Sequence, residues 1–160
     1  MALPGAEASR SPTLPRLLTL PMGLIPPRLN STVLAQILHR VFDAELKDGE
    51  LDFLDGKVMR IGVDDARLTF RLTLADGRIR AAKTGEDLTI DGNVYEFLLL
   101  ATRREDPDTL FFNRRLRLGG STELGLYAKN FLDSLELEGR LGPLLPLMNR
   151  TADLLGRFAR

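Results

Sequence analysis

In the stretch ARLTFRLTL, residues 66–74, Ala66, Leu68, Phe70, Leu72 and Leu74 alternate with Arg67, Thr69, Arg71 and Thr73. Successive side chains of a strand point to opposite faces, so this two-residue repeat commits the segment to a half-buried β-strand. Asp76-Gly77 follows, a pair suited to the left-handed backbone of a two-residue hairpin, and it returns the chain through RIRAAK. One face of the hairpin is apolar and needs a covering layer.

The flanking segments supply that layer. Asn30 or Ser31 caps a helix running to about Leu46, with Val33, Leu34, Ile37, Leu38, Val41 and Phe42 on one face. DGELDFLDG is turn, short apolar contact and turn, and VMRIGV and DLTIDG are further strands. Asn93 followed by Glu96 reads as the capping box of a second helix, VYEFLLLATRR, which is apolar nearly all round. Asp106-Pro107-Asp108 reads as a loop and NRRLRLGG as a fifth strand. Ser121 or Thr122 then caps a helix whose stripe is Leu124, Tyr127, Ala128, Phe131, Leu132 and Leu135. Gly125 inside it costs about 1 kcal/mol relative to alanine, for which close packing is the usual compensation. This order predicts an α+β domain, a five-stranded mixed sheet with helices packed on one face. The other sheet face carries Arg67 and Arg71, with Arg115 and Arg117 as further candidates, exposed to solvent or meeting a dimer partner or anionic lipid.

The ends differ from the middle. Residues 1–30 begin small and polar and become apolar from Leu14, interrupted by Pro15, Pro21, Pro26 and Pro27. Proline removes a backbone donor, so this stretch cannot be one long helix; it wraps the domain or touches a membrane. Residues 31–139 form the domain. Residues 140–160 end in an amphipathic helix with Leu144, Leu147, Met148, Thr151, Ala152, Leu154, Leu155 and Phe158 on one half. Asn149, Arg150, Asp153, Arg157 and Arg160 take the other half. Such a helix closes a core, or serves as a movable lid or interfacial element.

The formal net charge is +0, which gives no sign of nucleic-acid binding. Arg10, Arg16 and Arg28 against Glu7, and Arg140, Arg150, Arg157 and Arg160 against Asp153, make two basic ends around an acidic middle. That layout either favours contact with anionic lipid or is ordinary scatter. No apolar run reaches the roughly 18 residues of a spanning helix, and the amino terminus does not read as a secretory signal. The expected location is cytoplasmic, with peripheral contact to a membrane left open.

Reactive chemistry is sparse. With Cys 0, thiolate catalysis and cysteine-ligated clusters are excluded. His39 shares its helix face with Gln36, Arg40 and Asp43 and reads as a surface histidine. Asp64-Asp65, the group Glu105, Asp106 and Asp108, and the pair Glu136 and Glu138 read as solvated turns and caps. Neither a phosphate-cradling glycine loop nor a metal-ligand spacing occurs, so no catalytic residue, metal or cofactor is assigned. What the chain has in excess is apolar surface. Helices packed against a small sheet can leave a tunnel lined by Leu, Phe and Met, or fill the same space as a core.

Two stretches carry a resemblance. DGELDFLDGK, and EDPDTLFFNRRL followed by TELGLYAKNFLDSLELE, are similar to the UbiT (YhbT) family within the sterol carrier protein type two superfamily. The similarity covers about residues 14–158, with Ser121 where members often have aspartate. It implies a sterol-carrier-like lipid-binding domain with an apolar tunnel, and a non-catalytic accessory role in oxygen-independent ubiquinone biosynthesis. The implied partners are isoprenoid quinone precursors or phospholipid such as phosphatidic acid, and the UbiU and UbiV hydroxylase proteins; a homodimer is left open. On this architecture and the residue periodicity, the expected tunnel lining is Phe53, Phe70, Leu72, Phe97, Leu100, Phe112, Leu116, Tyr127, Phe131 and Leu135. Leu147, Met148, Leu155 and Phe158 form the expected cover.

Overall fold

The computed structural model describes residue 13 and residues 27–137, 140–142 and 144–157. The strand that dominates the sequence becomes β2 (Leu68–Ala75), and its hairpin partner is β3 (Arg78–Ala81). Both turn residues take the left-handed conformation, Asp76 at φ 53° and Gly77 at φ 72°, as a two-residue hairpin requires. β1 (Val58–Val63) and β4 (Leu88–Gly92) are parallel neighbours, and β5 (Arg117–Gly120) closes the far edge. The order is β3-β2-β1-β4-β5, antiparallel except at β1–β4, giving the expected mixed five-stranded α+β architecture.

Register separates the two faces. Met59 opposes Leu72, Ile61 opposes Phe70 and Ile90, and Ile90 opposes Leu118, so the inner face is aliphatic and aromatic throughout. On the outer face Arg60 lies opposite Arg71. Two like charges so placed repel. Glu86 relieves them, its Oε1 lying 3.3 Å from Arg60 Nε and 3.1 Å from Arg71 Nη2, and Asp91 adds a second partner to Arg60 at 3.0 Å. A Cβ at Gly62 would collide with the Asp91 carboxylate, so this ion network requires glycine beside it. Arg117 pairs with Asp64. Arg67 lies not on a strand but in the turn before β2, at φ 53°. Arg115 also leaves the expected face: it precedes β5 and turns onto Glu96.

The first helix differs from expectation at both ends. α1 (Pro27–Val41) starts at a proline, which suits an initial helical position because its missing N–H would have no helical acceptor. It breaks at Phe42 before the short α2 (Asp43–Lys47). Ser31 is therefore inside α1, and its hydroxyl accepts from Arg71 N–H at 3.1 Å, where β2 extends beyond its pairing with β3. His39 Nδ1 accepts a long bond, 3.5 Å, from Ile79 N–H of β3. α1 thus covers the β3 edge, one way of blocking edge-to-edge pairing.

A single 3-10 turn (Asp52–Leu54) leads into β1. α3 (Val94–Ala101) follows β4, and α4 (Pro107–Phe112) occupies the region read as loop, with Asp106 as its cap. α5 (Thr122–Ser134) is capped by Ser121, whose hydroxyl accepts from Leu124 N–H at 3.3 Å. α6 (Leu144–Arg157) packs on α3, with Ala152 and Leu155 buried. One buried cluster joins Leu51, Leu54, Leu74, Leu88, Ala128, Phe131 and Leu135; a second joins Leu99, Leu110 and Leu116.

Candidate functional site

Between the inner face of the sheet and the helices lies a cavity of about 450 Å³, within the usual range of small-molecule sites. Each layer contributes a wall. Met59, Ile61, Phe70, Leu72 and Ile90 come from the sheet, and Leu34, Ile37, Leu38 and Val41 from α1. Phe97, Leu100 and Ala101 come from α3, and Phe131 and Leu132 from α5. The strap between α5 and α6 adds Leu137 and Leu141, and α6 adds Leu144 and Met148. Among the described residues, Thr73 and Arg103 are the only polar ones in the lining. Ile37 and Leu144 line the pocket yet are 43% and 46% exposed, which places them at its opening.

Two ion pairs hold the cover. Arg140 in the strap reaches Glu45 of α2, which is buried. Arg104, just after α3, donates to Asp153 Oδ1 at 2.6 Å and to Asn149 Oδ1 at 3.0 Å, both on α6. This bond to Arg104 holds the Asp153 carboxyl below the ordinary aspartate range and raises the guanidinium's own pKa.

The structure brings Phe53, Phe70, Leu72, Phe97, Leu100, Phe131, Leu135 and Met148 together around this cavity. It places the others elsewhere. Phe112 is 89% exposed and borders a shallow depression with Asp108, Thr109 and Lys129. Leu116 belongs to the second buried cluster, because α3 uses its two sides differently. Tyr127 is about half exposed, its ring 5.9 Å from Phe53 but outside the lining. Leu147 faces outward at 61% exposure and Leu155 is buried outside the lining. Phe158 lies outside the described residues. The α1 residues of the wall were legible as an apolar stripe but not as pocket, since spacing cannot tell a filled face from one beside a void.

Most of the carboxylates considered for chemistry have structural partners; Glu136 is exposed. Asp106 Oδ1 accepts from Thr109 N–H at 2.9 Å, and this bond with that of the Thr109 hydroxyl lowers its pKa. Asp108 meets Lys129 Nζ at 2.6 Å and Glu105 meets Arg115 Nη1 at 3.6 Å. Asp65 accepts from Val94 N–H at 3.0 Å, at the start of α3. Glu96 makes no capping box; Asn93 caps without a side-chain bond, and Glu96 is buried beneath Arg115 at 3.4 Å. Glu138 lies outside the described residues. Among the described residues no cluster could hold a metal ion, and no helix is long and apolar enough to cross a membrane.

Residues 34–133 match the SCP-2 sterol transfer family. The ubiquinone biosynthesis accessory factor UbiT of Escherichia coli (strain K12) is 39% identical over 142 residues, covering 88% of this chain and 82% of that protein. UbiT of Escherichia coli O157:H7 matches at the same 39% identity and coverage. Among solved structures, the UbiJ-SCP2 ubiquinone synthesis protein aligns with a TM-score of 0.49 at 15% identity, over 73% of this chain and 94% of that one. The sterol carrier protein domain 2 of Helicoverpa armigera aligns at 0.42 and 10% identity, over 74% and 86%. On the family match and the extent of identity to UbiT, the chain belongs to the UbiT family of the SCP-2 sterol transfer superfamily.

Proposed function

We propose that this protein is a non-catalytic lipid-binding accessory factor for oxygen-independent ubiquinone biosynthesis. It holds the prenyl tail of an intermediate in the apolar pocket and presents the head group to the UbiU and UbiV hydroxylases. The observation that carries this reading is a cavity of about 450 Å³ whose described lining is apolar except for Thr73 and Arg103. Each methylene transferred from water into such a space contributes about 0.8 kcal/mol, so an isoprenoid chain is retained without directional bonds. The eight expected residues that meet around the cavity are the proposed tail contacts. Extracting the purified protein into organic solvent and analysing the extract by mass spectrometry tests the reading. Ubiquinone precursors are expected; an extract empty of lipid overturns it.

A second reading, a phospholipid-binding or membrane-docking module, draws on α6. Leu144, Leu147 and Leu154 are each about half exposed or more, on a helix that also carries Arg150 and Arg157. Phospholipid in the extract, together with flotation on anionic vesicles that weakens with salt, favours it over the first.

A further inference from the structure

Arg103 is the only charged residue in the described lining of the pocket. It is exposed, and its Nη2 donates to the carbonyl of Leu132, another lining residue, at 2.8 Å. Its neighbour Arg104 is occupied by Asp153 and Asn149. Among the described residues Arg103 has no carboxylate within ion-pair distance, and the Leu132 carbonyl is the one hydrogen-bond acceptor recorded for its five N–H donors. We propose that Arg103 is a head-group anchor: the pocket takes amphiphiles whose apolar tail lies inside and whose carboxylate or phosphate pairs with this guanidinium at the rim. The proposal rests on the lipid-binding reading above and specifies its ligand class. A planar guanidinium suits both oxyanions, and such charge-assisted bonds are the stronger kind.

The surroundings sharpen the expectation. Arg103 follows the carboxyl end of α3 and touches a carbonyl near the carboxyl end of α5. Helix carboxyl ends repel anions. Without Arg103 the rim should disfavour the same head groups that it attracts with it.

The backbone provides a clean test. Arg103 ends α3 at φ 56°, with Arg104 N–H bonded to Leu99 O and Arg103 N–H to Leu100 O. Glycine is the preferred residue at that position of the motif. Arg114 ends α4 in the same way, at φ 57°, and is not in the pocket lining. Arg103→Gly and Arg114→Gly should therefore both fold, with melting temperatures no lower than the parent's.

The full chain and both variants would be titrated at constant pH with decanoate, decyl phosphate and decanol, reading displacement of the neutral dye Nile red. The parent and Arg114→Gly are expected to bind the two anions about tenfold more tightly than the alcohol, an Arg–oxyanion increment. Arg103→Gly is expected to keep its affinity for decanol and lose the preference. Inorganic phosphate is expected not to compete with decyl phosphate; competition would assign the arginine to a free anion and overturn the proposal. Equal binding of the three compounds by the parent, or a preference that survives in Arg103→Gly, overturns the anchor and leaves the lipid-binding reading standing. Binding of none of them overturns both.

Discussion

Glu96 shows how a single residue acquires its role from distant sequence. It is fully buried, with Arg115 Nη2 at 3.4 Å and the Arg115 guanidinium 5.8 Å from the centre of the Tyr95 ring. Removing one member of such a pair leaves an uncompensated buried charge, at a cost of about 3–5 kcal/mol. Arg115→Met should accordingly destabilise the protein by about that amount, and Glu96→Gln/Arg115→Met should recover most of it. Urea unfolding of the two variants would decide, and equal stability of both would contradict the assigned pairing. Asp106 offers a pH-dependent counterpart. Its carboxyl is lowered by the Thr109 bonds, so its contribution is present above the ordinary aspartate pKa and is lost as pH falls through the depressed value. Asp106→Ala should lower stability at neutral pH, as for a lost helix cap. The gap between variant and parent should close in strong acid, measured as unfolding midpoints across a pH series.

At the scale of elements, periodicity was the reliable signal. β1, β2, the hairpin turn and α5 fall where alternation and caps put them, because each has one apolar face that the fold buries. The failures have equally local causes. α4 hid behind Asp106-Pro107-Asp108, which reads as a turn although aspartate then proline is also a helix start. Glu96 satisfied a capping pattern that Asp65, remote in sequence, fulfils from outside by accepting from Val94. Gly125 in α5 is buried, but a Cβ there would meet Leu118 and Leu88 only at ordinary contact distances of 3.9 and 4.0 Å. Close packing therefore does not require glycine. Gly125→Ala should stabilise the protein by about 1 kcal/mol, the difference in helix propensity, seen as a higher melting temperature.

The described residues are organised around a space that their side chains leave open. Sheet, α1, α3, α5 and α6 each turn an apolar surface toward it, and the strap closes one side with Leu137 and Leu141. Filling that space should separate stability from binding. Ala101 lines the cavity from the end of α3, so Ala101→Phe places a ring where there is room for one. Its melting temperature is expected to stay within a few degrees of the parent's, while Nile red binding falls at least tenfold. A loss of several kcal/mol instead, as in overpacked cores, would mean that the space is closed in solution. Acid is expected to weaken the contact between α3 and α6: Arg104 lowers the pKa of the Asp153 carboxyl, so their bond should be lost as pH falls through that lowered value.

Read alone, the residues determined most of the strands and helices, α4 excepted, and most of the apolar faces, because those properties follow from the spacing of neighbouring side chains. They also placed the chain in its family through contiguous stretches such as EDPDTLFFNRRL. Spacing is blind to what stands opposite a face. The tertiary structure therefore decided that Leu34, Leu38 and Ile61 border a void while Leu116 is packed solid and Phe112 faces solvent. It also decided that Arg103, one arginine among many, stands at the opening. A cavity is a relation between elements far apart in the chain, set by register, crossing and layer distance, and no local pattern encodes it.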